Sequence, residues 1–146
     1  MTLYCQSTDR LAPWQMARLA PGAKASHGIE YDPELRANVE RYTYQWRDFQ
    51  VNLYLTRRPH IARQVHSFLE YAAALAQAQG ATLDQEFIRR VRSTRIIIGY
   101  DAGPNYLEHS RFQRLETILV ALRDITGSLL HWEGAIYDQD GRLLIA

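Results

Sequence analysis

Cysteine is nearly missing from this chain: Cys5 is the only one in 146 residues. No disulfide can therefore close within it. Lysine is nearly missing too. Of 17 basic residues only Lys24 is lysine and the others are arginine, a planar fork suited to carboxylates and phosphates. Charge of one sign is also lacking. A net charge of +1 gives no global field that would require nucleic acid or an anionic membrane as partner. No run approaches the roughly 18 apolar residues of a spanning helix. The start, Met1 to Arg10, lacks the apolar segment of a signal peptide. The expectation is a cytoplasmic protein without a membrane partner.

Catalytic and metal signatures are absent as well. The histidines are His27, His60, His66, His109 and His131; none forms an H-x-x-x-H pair and no cysteine pair accompanies them. Asp138, Asp140 and Gly141 invite comparison with a calcium loop. In that register, however, the closing glutamate would fall beyond Ala146, so a hairpin turn is the better reading. No G-x-S-x-G or phosphate-loop pattern occurs, and no cofactor is expected. Cys5, with no histidine near it in sequence, reads as a small apolar filler.

What is present is periodicity. With 47% hydrophobic and 23% charged residues, the chain has the composition and length of one globular domain, residues 1–146. Residues 1–28 are the hardest to place: "TLYC" reads as a short strand, "PWQMARLA" as a turn or two of helix, and "PGAKASHG" as loop. Between Glu40 and Thr56 the apolar residues change parity. Tyr42, Tyr44 and Trp46 are even, whereas Phe49, Val51, Leu53 and Leu55 are odd. One straight strand would send these sets to opposite faces. A hairpin turning at Arg47 and Asp48 puts them on one face, with Trp46 opposite Phe49, Tyr44 opposite Val51 and Tyr42 opposite Leu53. Arg-Asp is a poor type I′ turn, so a bulge in one bent strand is the alternative, and the hairpin is favoured.

After Pro59 the period becomes helical, through Ile61, Val65, Phe68, Leu69, Ala72, Leu75 and Ala76, with Gly80 past the end. A short helix follows, with Thr82 and Gln85 at capping-box spacing. "RIIIGY" reads as a buried strand. A third helix starts near Ser110, with Gln113 at capping-box spacing, and stops at Gly127. The tail reads as short antiparallel strands, turning at Glu133-Gly134 and Asp140-Gly141. Together these predict an α+β fold: a mostly antiparallel sheet with two long helices and one short helix packed on one face. From Thr94 onward, the strand, the helix, the G-x-L-L strand (Gly127 to Leu130) and the D-x-D-G-R-L-L hairpin (Asp138 to Leu144) resemble small, uncharacterised bacterial α+β proteins. That resemblance spans the last third of the chain. It implies the fold and carries no activity.

One arrangement points to a ligand. Arg57 and Arg58, with His60 and Arg63 nearby, crowd the start of the first long helix, and Arg111 and Arg114, beside His109, crowd the start of the third helix. Both are the wrong end for positive charge. "RRVRSTR", in contrast, ends a helix that Asp84 and Glu86 begin, so the helix dipole accounts for it. Helix starts expose unpaired N–H groups that favour anions. If the strands preceding the two basic starts run parallel, Arg57, Arg58, Tyr106, His109, Arg111 and Arg114 share one anion-binding edge. Asp48, Asp101 and Glu108 are competing partners within the chain.

The expectation is a non-catalytic binding or protein-interaction domain, with a small anionic ligand at these helix starts as one candidate. A homodimer through an open sheet face is expected as well. The enzyme alternative needs Asp101, Glu108 and His109 to converge with Tyr106 in a pocket. The nucleic-acid alternative needs arginines beside exposed aromatics and is disfavoured by the near-neutral charge.

Overall fold

A computed structural model describes residues 1–7 and 11–146; Thr8 to Arg10, part of the N-terminal segment that was hard to place, lie outside the described residues. The elements are β1 (Thr2–Cys5), α1 (Pro13–Ala17), β2 (Lys24–Asp32), β3 (Ala37–Gln45), β4 (Gln50–Arg57), α2 (Ala62–Ala78), α3 (Gln85–Arg92), β5 (Ile96–Ala102), α4 (His109–Thr126), β6 (Leu129–Trp132), β7 (Ala135–Tyr137) and β8 (Leu143–Ile145). The strands form one open eight-stranded sheet in the order β2-β3-β4-β5-β1-β6-β7-β8. Every neighbouring pair is antiparallel. The α+β class follows as expected.

The parity change in the β3–β4 region is a hairpin in the expected register. Tyr42 faces Leu53 and Tyr44 faces Val51, and the Trp46 amide donates to the Phe49 carbonyl at 2.8 Å. At the other end of the sheet Glu133 and Gly134 both take positive φ, 49° and 81°, the backbone of a two-residue turn matched to strand twist. The Asp138–Arg142 turn closes through Gly141 N to Asp138 O at 3.1 Å. The Asp138 carboxylate accepts from Asp140 N and Arg142 N.

Two readings need correction. The helices do not share a face. Leu3, Cys5, Ile96 and Ile98 pack with Met16 of α1 and with Leu115, Ile118, Leu119 and Leu122 of α4. Tyr4 and Ile97, one residue out of phase, pack with Phe68 and Ala72 of α2 and Phe87 and Val91 of α3. Successive strand residues point to opposite faces, so α1 and α4 cover one side of the central strands and α2 and α3 the other. The second correction is "PGAKASHG". Lys24 to Gly28 belong to β2, which pairs residue for residue with β3 from Lys24↔Gln45 to Asp32↔Ala37. Lys24 to Gly28 carry little strand preference; the aromatic, β-branched β3 templates them.

Helix ends also differ from the capping-box spacings. The α3 cap is Asp84, whose carboxylate accepts from Glu86 N at 2.9 Å, rather than Thr82. At α4 the capping position is Glu108, with no side-chain cap, and Gly127 ends the helix in the left-handed region at φ 61°. Among the described residues no helix is long and apolar enough to cross a membrane.

Candidate functional site

The two basic helix starts lie at opposite ends of the sheet. β4 and β5 are antiparallel: Arg57, at the end of β4, sits beside Ile96 at the beginning of β5, and Ala102, at the end of β5, sits beside Val51. The parallel geometry that a shared anion-binding edge requires is not present. Arg57 and Arg58 fall at one end, and Tyr106, His109, Arg111 and Arg114 at the other.

Each arginine has an acceptor within the chain. Arg57 Nε reaches Glu40 Oε2 at 2.8 Å. Arg58 donates from Nε to the Thr94 carbonyl and from Nη2 to the Arg92 carbonyl, both at 2.8 Å. Its charge is out of place for α2 and well placed for the carbonyl end of α3. Arg114 Nη1 lies 2.9 Å from Asp48 Oδ1, with its guanidinium 5.5 Å from the Trp46 ring centre. Arg111 donates from Nη1 to the Pro104 carbonyl at 3.4 Å. Its buried Nε makes no hydrogen bond among the described residues and lies 3.5 Å from Glu108 Oε2 and 4.0 Å from Asp48 Oδ2, with the guanidinium 6.0 Å from the Phe49 ring centre. These contacts hold the Asp48 carboxyl below the usual carboxylate range, the Arg114 hydrogen bond contributing most. The anion that α4's first turn meets is thus the tip of the β3–β4 hairpin.

The Asp101–His109 loop turns the chain from β5 into α4. Asn105 takes φ 67°, and Glu108 N donates to the Asn105 carbonyl at 3.1 Å. Tyr106 packs edge-on against Tyr100, centroids 6.3 Å apart. Asp101, Glu108 and His109 are exposed, rather than enclosed in the water-excluding cleft that would favour acid–base chemistry there. The Cys5 thiol is fully buried, and burial pushes its pKa up to about 12, the opposite of an activated nucleophile. Among the described residues no three His, Cys, Asp or Glu side chains gather as metal ligands.

A cavity of about 190 Å³ lies under α4, lined by Phe112, Leu115, Leu119, Leu130 and Trp132, with Glu116 and Arg123 among its polar residues. It falls below the roughly 300 Å³ at which ligand pockets usually begin. Wider clefts of about 380 Å³, between α3 and β8 beside Leu83, Phe87 and Leu144, and about 460 Å³, beside Phe68, Tyr71 and His131, exceed it.

The more unusual feature is the β2 edge. β2 ends the sheet, runs nine residues and pairs with β3 without a register shift. Ile29 is 71% exposed and Tyr31 60% exposed. With Ala25 and His27 they lie on one face of the strand, where His27 stacks on Tyr42 at 4.5 Å. The opposite edge is built differently: β8 has three residues, and its pairing with β7 carries an irregularity at Ile136/Tyr137. Natural sheets blunt their edges with short strands, bulges and charged side chains; β8 has the first two, whereas β2 has only its charges, Lys24, Glu30 and Asp32. Reading "PGAKASHG" as loop concealed this edge, although His27, Ile29 and Tyr31 already alternate with Gly28 and Glu30. No protein-family model matches the chain, and neither the curated proteins nor the solved structures yield a match.

Proposed function

We propose that this chain is a non-catalytic protein-interaction domain whose contact edge is β2. One observation carries the reading: a nine-residue, regularly paired edge strand that exposes Ile29 and Tyr31, set against a short, irregular β8 at the other end of the same sheet. A long, regular edge offers a row of backbone donors and acceptors to an incoming strand, and alternate side chains supply specificity. The self-contained partners of Arg57, Arg58, Arg111 and Arg114 support a structural part for the basic helix starts. A photo-crosslinking phenylalanine at position 29, compared in the producing cell with one at the exposed helix position 120, tests the reading. Cross-linked products specific to position 29 are expected. Equal products, or none, from both positions would defeat it.

A further inference from the structure

We propose that the occupant of this edge is a second copy of the chain, its β2 running antiparallel to the first about a two-fold axis at Gly28. The inference rests on the reading of β2 as the contact edge and adds the partner and the register. Gly28 is the midpoint of β2, so this register lets every residue from Lys24 to Asp32 find a counterpart. Lys24 then stands opposite Asp32 of the second copy, and Ser26 opposite Glu30. On the other face Ala25 stands opposite Tyr31, and His27 opposite Ile29. The two-fold axis repeats each pair.

Three properties of the strand favour this arrangement. Its end charges are self-complementary, Lys24 at the start and Asp32 at the end. Glu30 already pairs with Arg41 of its own chain at 3.1 Å, and Asp32 Oδ1 accepts from Glu34 N and Leu35 N. Lys24 makes no ion pair among the described residues. A two-fold antiparallel pairing turns that polarity into two Lys–Asp contacts, and opposite charges facing each other across strands are stabilising. Second, the exposed apolar pair gains cover: Ile29 adjoins the His27 ring of the second copy, which already stacks on its own Tyr42. Third, the residue on the axis meets its own copy directly, and glycine puts no side chain there. Helices cover both faces of the central strands, so the edge joins two copies without uncovering either core.

Sedimentation velocity across a concentration series, with circular dichroism as a check on folding, tests the partner. The parent is expected to move from monomer to dimer as concentration rises. Ile29→Lys and Lys24→Glu are each expected to shift that transition to higher concentration without altering the dichroism spectrum. Oxidative crosslinking tests the register. Gly28→Cys is accommodated, since a Cβ there meets only Arg41 Nη2 at 4.0 Å. It should form an interchain disulfide readily under mild oxidation. Ser26→Cys should not, because its own copy would lie about 13 Å away along the strand, four residues at ~3.3 Å each. Equal crosslinking of the two variants, or a dimer indifferent to both surface substitutions, would overturn the register. A monomer at every concentration would overturn the second copy. If position 29 still crosslinked specifically to some other protein, the edge would remain the contact surface; if it crosslinked to nothing, the broader reading would fall as well.

Discussion

Arg114 of α4 holds Asp48 of the β3–β4 hairpin tip, Nη1 to Oδ1 at 2.9 Å, and ties a helix start to a turn 66 residues earlier in the chain. Because Asp48's carboxyl is held below its usual range, the contact stabilises the fold above the unfolded carboxylate pKa of about 4 and is lost as pH falls through the lower folded value. Asp48→Asn is therefore expected to lower the urea midpoint near neutral pH and to leave it unchanged once the pH is well below that window. The effect should be small, as for other exposed pairs, and should shrink with added salt. Paired urea titrations at the two pH values check it.

Asp84, and not Thr82, caps α3. Asp84→Ala should cost about 1 kcal/mol, the usual loss on removing such a cap, whereas Thr82→Ala should change stability by no more than about 0.5 kcal/mol. Chemical denaturation of the two variants side by side separates the assignments.

Phe68 stacks on Tyr4 with ring centroids 3.9 Å apart and also contacts Phe87, so one side chain joins α2 to both β1 and α3. Phe68→Ala should cost roughly 3–5 kcal/mol, a typical loss for removing a buried aromatic ring. Equilibrium unfolding is the measurement.

Cys5 should be silent toward thiol reagents in the native state near neutral pH, because burial both shields it and keeps it protonated, with a pKa of about 12. In denaturant it should react at the rate of an ordinary thiol. Mass labelling across a denaturant series should then give a transition that follows global unfolding.

The residues that were legible are those whose pattern has one physical cause. The β3–β4 register followed from the parity change once a hairpin was preferred to a bulge in one bent strand, since the hairpin puts Tyr42, Tyr44, Val51 and Leu53 on one face. Gly80 and Gly127 mark helix ends because both sit in the left-handed region. The layer arrangement was also present in "RIIIGY". Three consecutive isoleucines cannot all face one side of a strand, so Ile96, Ile97 and Ile98 require cover on both faces. Only the first half of β2 was illegible: Lys24 to Gly28 show no apolar alternation and take their register from β3, whereas His27, Ile29 and Tyr31 alternate with Gly28 and Glu30. The charge pattern at the helix starts was real, but its explanation is tertiary: Arg58 serves the end of α3, and Arg114 serves a hairpin tip.

The position of β1 has a consequence for synthesis. This strand sits between β5 and β6, with Thr2 opposite Gly99 on one side and His131 on the other. It alone joins the two halves of the sheet. A nascent chain must therefore keep β1 unpaired until β5 has been made, while the β2–β3–β4 meander can zip up early. During that interval the meander has two open edges, β2 and β4; β5 later covers β4, whereas the β2 edge stays open throughout.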